Sequence, residues 1–263
     1  MKDKLLFPDI FEAVFILLCL FGVQLFIVQI LHYTIGPYND DLFLGMIISV
    51  ASYGIVFSWI MHFKNITYRD VLHSSQSPPI KLLFQISAPL IFIVMGIFIF
   101  EVEINKILSS IFPIPYYFEK IFSKQTESGF QSGIAVVLLA PFFEEILFRG
   151  IILKSFLEQY SIRKSIIASS LIFSAFHLNI YQFVIAFILG VLSGWIYSRT
   201  YSLYPCFLIH SFYNSICLIY VGLQRAFDFF PFKQSMSNLE SLIFLIFGGV
   251  FIMVGMFPLI KNR

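Results

Sequence analysis

The chain has 263 residues, of which 59% are hydrophobic and only 12% are charged, and its mean hydropathy is +0.87. This composition excludes a soluble globular protein, because too few polar residues are present to cover its surface. The net charge of +2 gives no sign of nucleic-acid binding, since the basic residues are spread over many connecting segments. We therefore predict an all-α membrane protein surrounded by lipid.

About eight stretches are apolar and long enough to be read as transmembrane helices, although the fifth is short. We expect them to form one integral membrane domain over residues 1–263, with the active site inside the bundle. The first stretch is too long for a signal peptide and lacks a small-residue cleavage site, so we expect a retained anchor. The predicted spans are Ile10–Tyr33, Leu42–Phe63, Leu82–Phe100, Gly133–Leu157, Ser165–His177, Tyr181–Tyr197, Leu203–Leu223 and Leu239–Ile260.

The distribution of lysine and arginine predicts the orientation of the chain in the membrane. With both termini in the cytoplasm, 12 of the 17 basic residues lie on the inside. This bias predicts a multi-pass protein of the cytoplasmic membrane with cytoplasmic termini. Between the third and fourth spans, Ile104–Lys124 mixes apolar and charged residues around Pro113 and Pro115. It fits either an interfacial segment on the outer surface or a connector with aromatic anchors.

The fourth span carries adjacent glutamates, Glu144 and Glu145, followed by Arg149. Glu145 and Arg149 are four residues apart in the orientation that favours a helical ion pair. Glu144 is turned about 100° away, which leaves it as the carboxylate that Arg149 does not pair. Pro141 removes a backbone hydrogen bond to the carbonyl of Val137 and should loosen the helix before this acidic pair. Ionisable groups at membrane depth are costly, so we read Glu144 as functional rather than as a structural contact.

Two later spans carry histidines with a partner at the same helical spacing. Phe173 and His177 are four residues apart in the fifth span, which places an aromatic ring beside the imidazole. His210 and Asn214 share a face of the seventh span, where two neighbouring donors can stabilise a carbonyl oxyanion. Each pair also fits a purely structural role, as an interface residue or an interhelical hydrogen bond. Tyr213 and the three cysteines are expected to be packing residues.

Together these groups predict hydrolysis. Glu144 can act as a general base on water, His177 can help to hold that water, and His210 with Asn214 can stabilise the oxyanion. The same residues also fit a zinc hydrolase with Glu144, His177 and His210 as ligands, and the spacing does not separate the two mechanisms. Serine or cysteine nucleophiles are less favoured, because no GxSxG or Cys/His arrangement accompanies these residues.

The three motifs occur in the order EExxxR, FxxxH and HxxxN, and this pattern resembles the CPBP family of intramembrane proteases. That family contains the CAAX prenyl endopeptidases and Abi-like bacterial proteins linked to bacteriocin processing or self-immunity. The resemblance implies that residues 131–223 form the catalytic core. It further implies that Glu144 is the general base assisted by His177, that His210 and Asn214 form the oxyanion site, and that Glu145 and Arg149 support the catalytic helix.

The resemblance implies an intramembrane endopeptidase acting on a membrane-associated or prenylated peptide or protein. A non-catalytic membrane protein that binds a peptide or confers immunity is the alternative, and a small proton-coupled carrier is less favoured because no internal repeat is evident. We expect membrane lipids and a peptide or lipidated protein as partners, and no nucleic acid. The sequence does not indicate an oligomeric state, although the small residues Gly190, Ser193 and Gly194 allow close helix contact.

Overall fold

The computed structural model describes residues 7–36, 42–75, 79–113, 129–226 and 238–261. These residues are helical apart from short connections, and within them the one extended pairing is an isolated antiparallel bridge between His73 and Ser202. The predicted all-α membrane protein is therefore confirmed.

The helices follow one another with short connections. The helical run of residues 130–159, here called α5, consists of five consecutive segments: Phe130–Ser132, π-helical Gly133–Leu139, Ala140–Glu145, π-helical Ile146–Leu153 and Lys154–Gln159. The other helices are α1 (Ile10–Ile35), α2 (Leu42–Lys64), α3 (Tyr68–Leu72), α4 (Pro79–Ile111), α6 (Ile162–Phe176), α7 (Ile180–Thr200), α8 (Leu203–Ala226) and α9 (Asn238–Lys261).

Six of the described helices are long and apolar enough to cross a membrane. Their bounds agree to within a few residues with those of the first three and the last three predicted spans. The exception is the end of the third predicted span. The six are Ile10–Ile35, Leu42–Lys64, Leu83–Ile111, Ile180–Thr200, Leu203–Leu223 and Leu239–Ile260. Several membrane-spanning helices are therefore present, but the predicted number of eight is not confirmed.

The two remaining predicted spans fall on α5 and α6. In α5 the helix changes between α- and π-helical hydrogen bonding around the acidic pair. The helix α6 has 15 residues, and at 1.5 Å per residue it is about 22 Å long. A membrane core is about 30 Å thick, so α6 is too short to cross it alone.

The third predicted span continues further than the sequence suggested. The helix α4 runs without interruption to Ile111 and includes Glu101 and Glu103. Residues 104–111 of the predicted interfacial segment are therefore helical and continue α4, and their position at the membrane surface stays a prediction. Pro113 lies just past the end of α4, consistent with its effect on helices. Residues 114–124 of that segment lie outside the described residues.

The described helices form two compact units. The first unit contains residues 1–76 and 138–206, and the second contains residues 77–137 and 207–263. The prediction of one membrane domain over residues 1–263, with residues 131–223 as its catalytic core, stays a prediction.

The first unit is built around an apolar core that holds the centre of α5. Phe148 and Phe156 of α5 are fully buried, together with Leu20 of α1, Phe57 of α2 and Tyr197 of α7. These side chains come from four helices, so the core fixes the middle of α5 on several sides at once.

Small residues allow α6 and α7 to pack closely in the first unit. A Cβ atom added to Gly190 would lie 2.9 Å from the Cβ of Ser170, and one added to Gly194 would lie 3.2 Å from a side-chain carbon of Ile166. The small residues noticed in the sequence are therefore used for contacts within the chain.

The connection between α2 and α4 also packs onto α5 in the first unit. Val71 of α3 is buried, and its side chain occupies the space that a Cβ atom on Gly150 would need. Lys154 donates a hydrogen bond of 2.6 Å to the carbonyl of Asp70, while Ser202 lies 2.9 Å from the Nδ1 atom of His73. The contacts of Val71 and Asp70 fix the segment against the end of α5 that follows Arg149, and the contact of His73 fixes it to the connection between α7 and α8.

In the second unit, α4 and α9 approach each other closely through glycines. A Cβ atom on Gly96 would lie 2.6 Å from the carbonyl oxygen of Gly248, and one on Gly255 would overlap the carbonyl oxygen of Pro89. Backbone contact of this kind needs residues without a side chain at the crossing points.

Candidate active site

The acidic pair of α5 lies between two π-helical segments. Residues Gly133–Leu139 precede it and Ile146–Leu153 follow it. A π-helical turn adds one residue to the hydrogen-bonded ring and is frequent at functional sites in proteins. The loosening predicted from Pro141 is therefore present as a change of helical type in the turns before Glu144.

Glu145 and Arg149 form the predicted ion pair. The Nη1 atom of Arg149 donates to the Oε1 atom of Glu145 at 3.1 Å, and both side chains are 2% exposed. The guanidinium carbon of Arg149 also lies 4.4 Å from the ring centre of Phe173 on α6. The ring face attracts the cation, so the pair links α5 to the helix that carries the FxxxH motif.

His177 follows the last turn of α6 and is held in a defined orientation. Its Nδ1 atom lies 3.0 Å from the carbonyl oxygen of Phe173. A carbonyl oxygen only accepts hydrogen bonds, so Nδ1 carries the proton and Nε2 of the neutral ring keeps its lone pair. The Phe173 ring meets the imidazole edge to face, with the ring centres 5.0 Å apart. In the neutral form of the ring, Nε2 can therefore accept a hydrogen bond.

Glu144 is only partly buried, unlike Glu145 beside it. The preceding residue, Phe143, stacks on Tyr53 of α2 with ring centres 5.1 Å apart and a 9° interplanar angle. The two glutamates have different surroundings, as predicted. Arg149 pairs with Glu145, and Glu144 lies on a different side of the helix.

His210 and Asn214 share one face of α8 in the second unit. His210 is buried, and the Nδ2 atom of Asn214 donates a hydrogen bond of 2.8 Å to the carbonyl of Val136. In a π-helical register this carbonyl would bond to the N–H five residues on, but that residue is Pro141, which has no N–H. Asn214 supplies the missing donor, and its second N–H is not used in this bond.

The sequence reasoning did not identify the buried carboxylate of Glu101. Its Oε2 atom lies 3.9 Å from the thiol of Cys217, its Oε1 atom lies 3.4 Å from the amide nitrogen of Asn105, and Tyr213 is hydrogen-bonded to it. Tyr213 and Cys217 were expected to be packing residues only. Their spacing of four residues, matched by that of Glu101 and Asn105, is the signal that could have indicated this cluster.

The structure therefore gathers Glu145, Arg149, Phe173 and His177 into one connected group in the first unit. In the second unit it places His210 and Asn214 on a common helical face. Among the described residues, no group of three or more His, Cys, Asp or Glu side chains is arranged to hold a metal ion. The predicted zinc site on Glu144, His177 and His210 stays a prediction.

Comparison with known protein families tests the resemblance directly. Residues 127–216 match the family model described as type II CAAX prenyl endopeptidase Rce1-like. The match confirms the resemblance to the CPBP/CAAX proteases. No match was found among curated proteins, and none among solved structures.

The matched segment contains all seven residues of the three motifs, from Glu144 to Asn214. The family is described as type II CAAX prenyl endopeptidases, that is, as hydrolases that act on peptides, and the match covers about a third of this chain. The match and the apolar helices together support an integral membrane protein in contact with lipid. Glu101 and Cys217 lie outside the matched segment.

Proposed function

We propose that this chain is an intramembrane endopeptidase that cleaves a peptide bond in a membrane-associated or prenylated, CAAX-type substrate with a water molecule activated by Glu144. One observation carries the proposal: the ion pair of Glu145 with Arg149, stacked on Phe173, extends to His177, whose Nδ1 atom is fixed on the Phe173 carbonyl so that Nε2 of the neutral ring can accept a hydrogen bond. A purely structural polar network does not need a fixed acceptor on its last member.

In the proposed reaction, Glu144 takes a proton from water as the water oxygen bonds to the carbonyl carbon of the scissile peptide. Nε2 of His177 accepts a hydrogen bond from the same water and orients it. The carbonyl oxygen becomes an oxyanion, which His210 and the second N–H of Asn214 stabilise. The carbon–nitrogen bond then breaks, and Glu144 returns the proton to the departing nitrogen.

The orientation of the chain in the membrane and its location in the cell also belong to this proposal. The lysine and arginine bias supports a protein of the cytoplasmic membrane with both termini in the cytoplasm. A prenylated C-terminal tail carries its lipid in the membrane, which brings its peptide bonds to the membrane surface. Such a substrate suits a protease whose polar residues lie on apolar helices.

The test uses purified protein in liposomes and a farnesylated peptide with a CAAX-type C-terminus. We expect Glu144→Gln to lower the cleavage rate by about 10²- to 10⁴-fold, the usual contribution of a general base. Glu158→Gln is the matched control, because it makes the same change at an exposed position of the same helix. Equal cleavage by Glu144→Gln and wild type would exclude Glu144 as the base.

A further inference from the structure

The face of α8 that carries His210 and Asn214 also carries two donors to a carboxylate on α4. On an α-helix each residue turns by about 100°, so positions 210, 213, 214 and 217 fall within an arc of about 100°. Tyr213, at one edge of this arc, and Cys217, within it, contact the carboxylate of Glu101. The carboxylate therefore holds the part of α8 that presents His210 and Asn214.

Glu101 is an unusual residue for a membrane-spanning helix. It lies inside the apolar span Leu83–Ile111, and a carboxylate there is costly unless it has partners or a function. Its described partners are a phenol, a thiol and an amide, none of which carries a positive charge. If position 101 served packing alone, an apolar side chain would fill it without the free-energy cost of bringing a carboxylate into the membrane.

From these observations we propose that Glu101 is a positioning residue, which sets the rotation of α8 so that His210 and Asn214 face the substrate carbonyl. The proposal rests on the proposed function, since it concerns the same oxyanion-stabilising pair. Asn214 is already fixed from one side by its hydrogen bond to Val136. From α4, Glu101 fixes the same helix through Tyr213, which precedes Asn214, and through Cys217, which follows it by about one turn.

This role predicts a specific kinetic effect. An oxyanion donor acts on the transition state and contributes little to substrate binding. A small rotation of α8 should therefore lower kcat by about ten- to a hundredfold, as misplacement of a catalytic group does. The KM for the farnesylated peptide should change by less than about threefold, because ground-state binding does not depend on these donors.

The experiment compares Glu101→Leu, Glu101→Gln and Tyr213→Phe in liposomes with the farnesylated peptide. We expect a large loss of kcat in Glu101→Leu, partial recovery in Glu101→Gln, whose amide oxygen still accepts hydrogen bonds, and a small loss in Tyr213→Phe. Glu103→Gln is the control, because Glu103 pairs with Lys106 at 3.6 Å on the same helix. Wild-type kcat in Glu101→Leu, or a rise in KM alone, would overturn the proposal.

A second measurement keeps this proposal separate from the proposed function. Amide hydrogen exchange over residues 207–217 should become faster in Glu101→Leu than in Glu103→Gln, while the helices of the first unit keep their protection. If the wild type does not cleave the peptide, the protease proposal fails and this exchange result alone decides whether Glu101 holds α8. Unchanged exchange in Glu101→Leu would then overturn the positioning role.

Discussion

The first unit buries an ion pair and a series of serines between its helices in addition to its glycine contacts, whereas two long helices of the second unit meet backbone to backbone through glycines. In the first unit, Ser165 and Ser169 of α6 donate to the carbonyls of Phe156 and Phe148 on α5. In the second unit, Gly96 and Gly255 bring the α4 and α9 backbones together. Lipid gives little hydrophobic drive for helix association, so membrane proteins use both polar bonds and close packing.

The difference has a functional consequence. A helix held by polar bonds can include π-helical turns. Where such a turn leaves a backbone carbonyl without an N–H partner in its own helix, a side chain from a neighbouring helix can donate the hydrogen bond. This is the situation of α5, which carries the acidic pair. A glycine crossing has no such tolerance, because the contact is between backbones. Substitutions should therefore damage the two units for different reasons and to different extents.

The largest effect on stability is expected from removing Arg149. Arg149→Met leaves the carboxylate of Glu145 buried without its cation, and breaking a buried pair in this way costs about 3–5 kcal/mol. Unfolding in a denaturing detergent, followed by tryptophan fluorescence, measures the change. The double variant Glu145→Leu/Arg149→Met should recover most of the loss, because no unpaired charge remains. A double variant as unstable as the single one would contradict this explanation.

An intermediate effect is expected at the glycine crossing of α4 and α9. In Gly255→Ala the new methyl group meets the Pro89 carbonyl and the Ile93 side chain, and overpacking of this kind costs about 1–3 kcal/mol. Gly249→Ala is the matched control on the same helix, since no atom lies within 4 Å of its added Cβ. The same unfolding measurement applies, and equal stability of the two variants would show that the crossing is not tight.

The smallest effect is expected outside the membrane-spanning helices, at the N-terminal cap of α3. The side-chain and backbone hydrogen bonds from Thr67 lower the pKa of Asp70. Because its folded pKa is lowered, Asp70 stabilises this segment above its ordinary pKa of 3.8, and that stability is lost as the pH falls through the lowered value. Thr67→Ala should raise the pKa of Asp70 towards the ordinary value. Carboxyl-carbon NMR on selectively labelled aspartate measures it, and an unchanged pKa would contradict the capping role.

The contacts that follow from spacing along one helix were predictable from the sequence. Glu145 with Arg149, and Phe173 with His177, are four residues apart, and both contacts are present. The six long apolar helices were predictable for a similar reason, because hydropathy over about 20 residues reflects the thickness of the membrane.

Contacts between helices were not predictable in the same way. The bond from Asn214 to Val136 depends on a π-helical register that no local spacing signals. The extension of α4 to Ile111 was missed because Glu101 and Glu103 resemble the start of a polar loop. Tyr213 and Cys217 lie more than a hundred residues from Glu101 in the sequence, so the four-residue spacings within each helix did not show that these groups meet.

The most direct test of the central claim is a comparison of protein termini in cells. Membrane-associated peptides and new protein termini are identified by mass spectrometry in cells that express the wild type, Glu144→Gln or Glu158→Gln at matched levels. If Glu144 is the general base, some termini are present with the wild type and with Glu158→Gln and vanish with Glu144→Gln. Identical termini in all three, with the cellular phenotype intact, would contradict proteolysis by this site and favour a binding or immunity role.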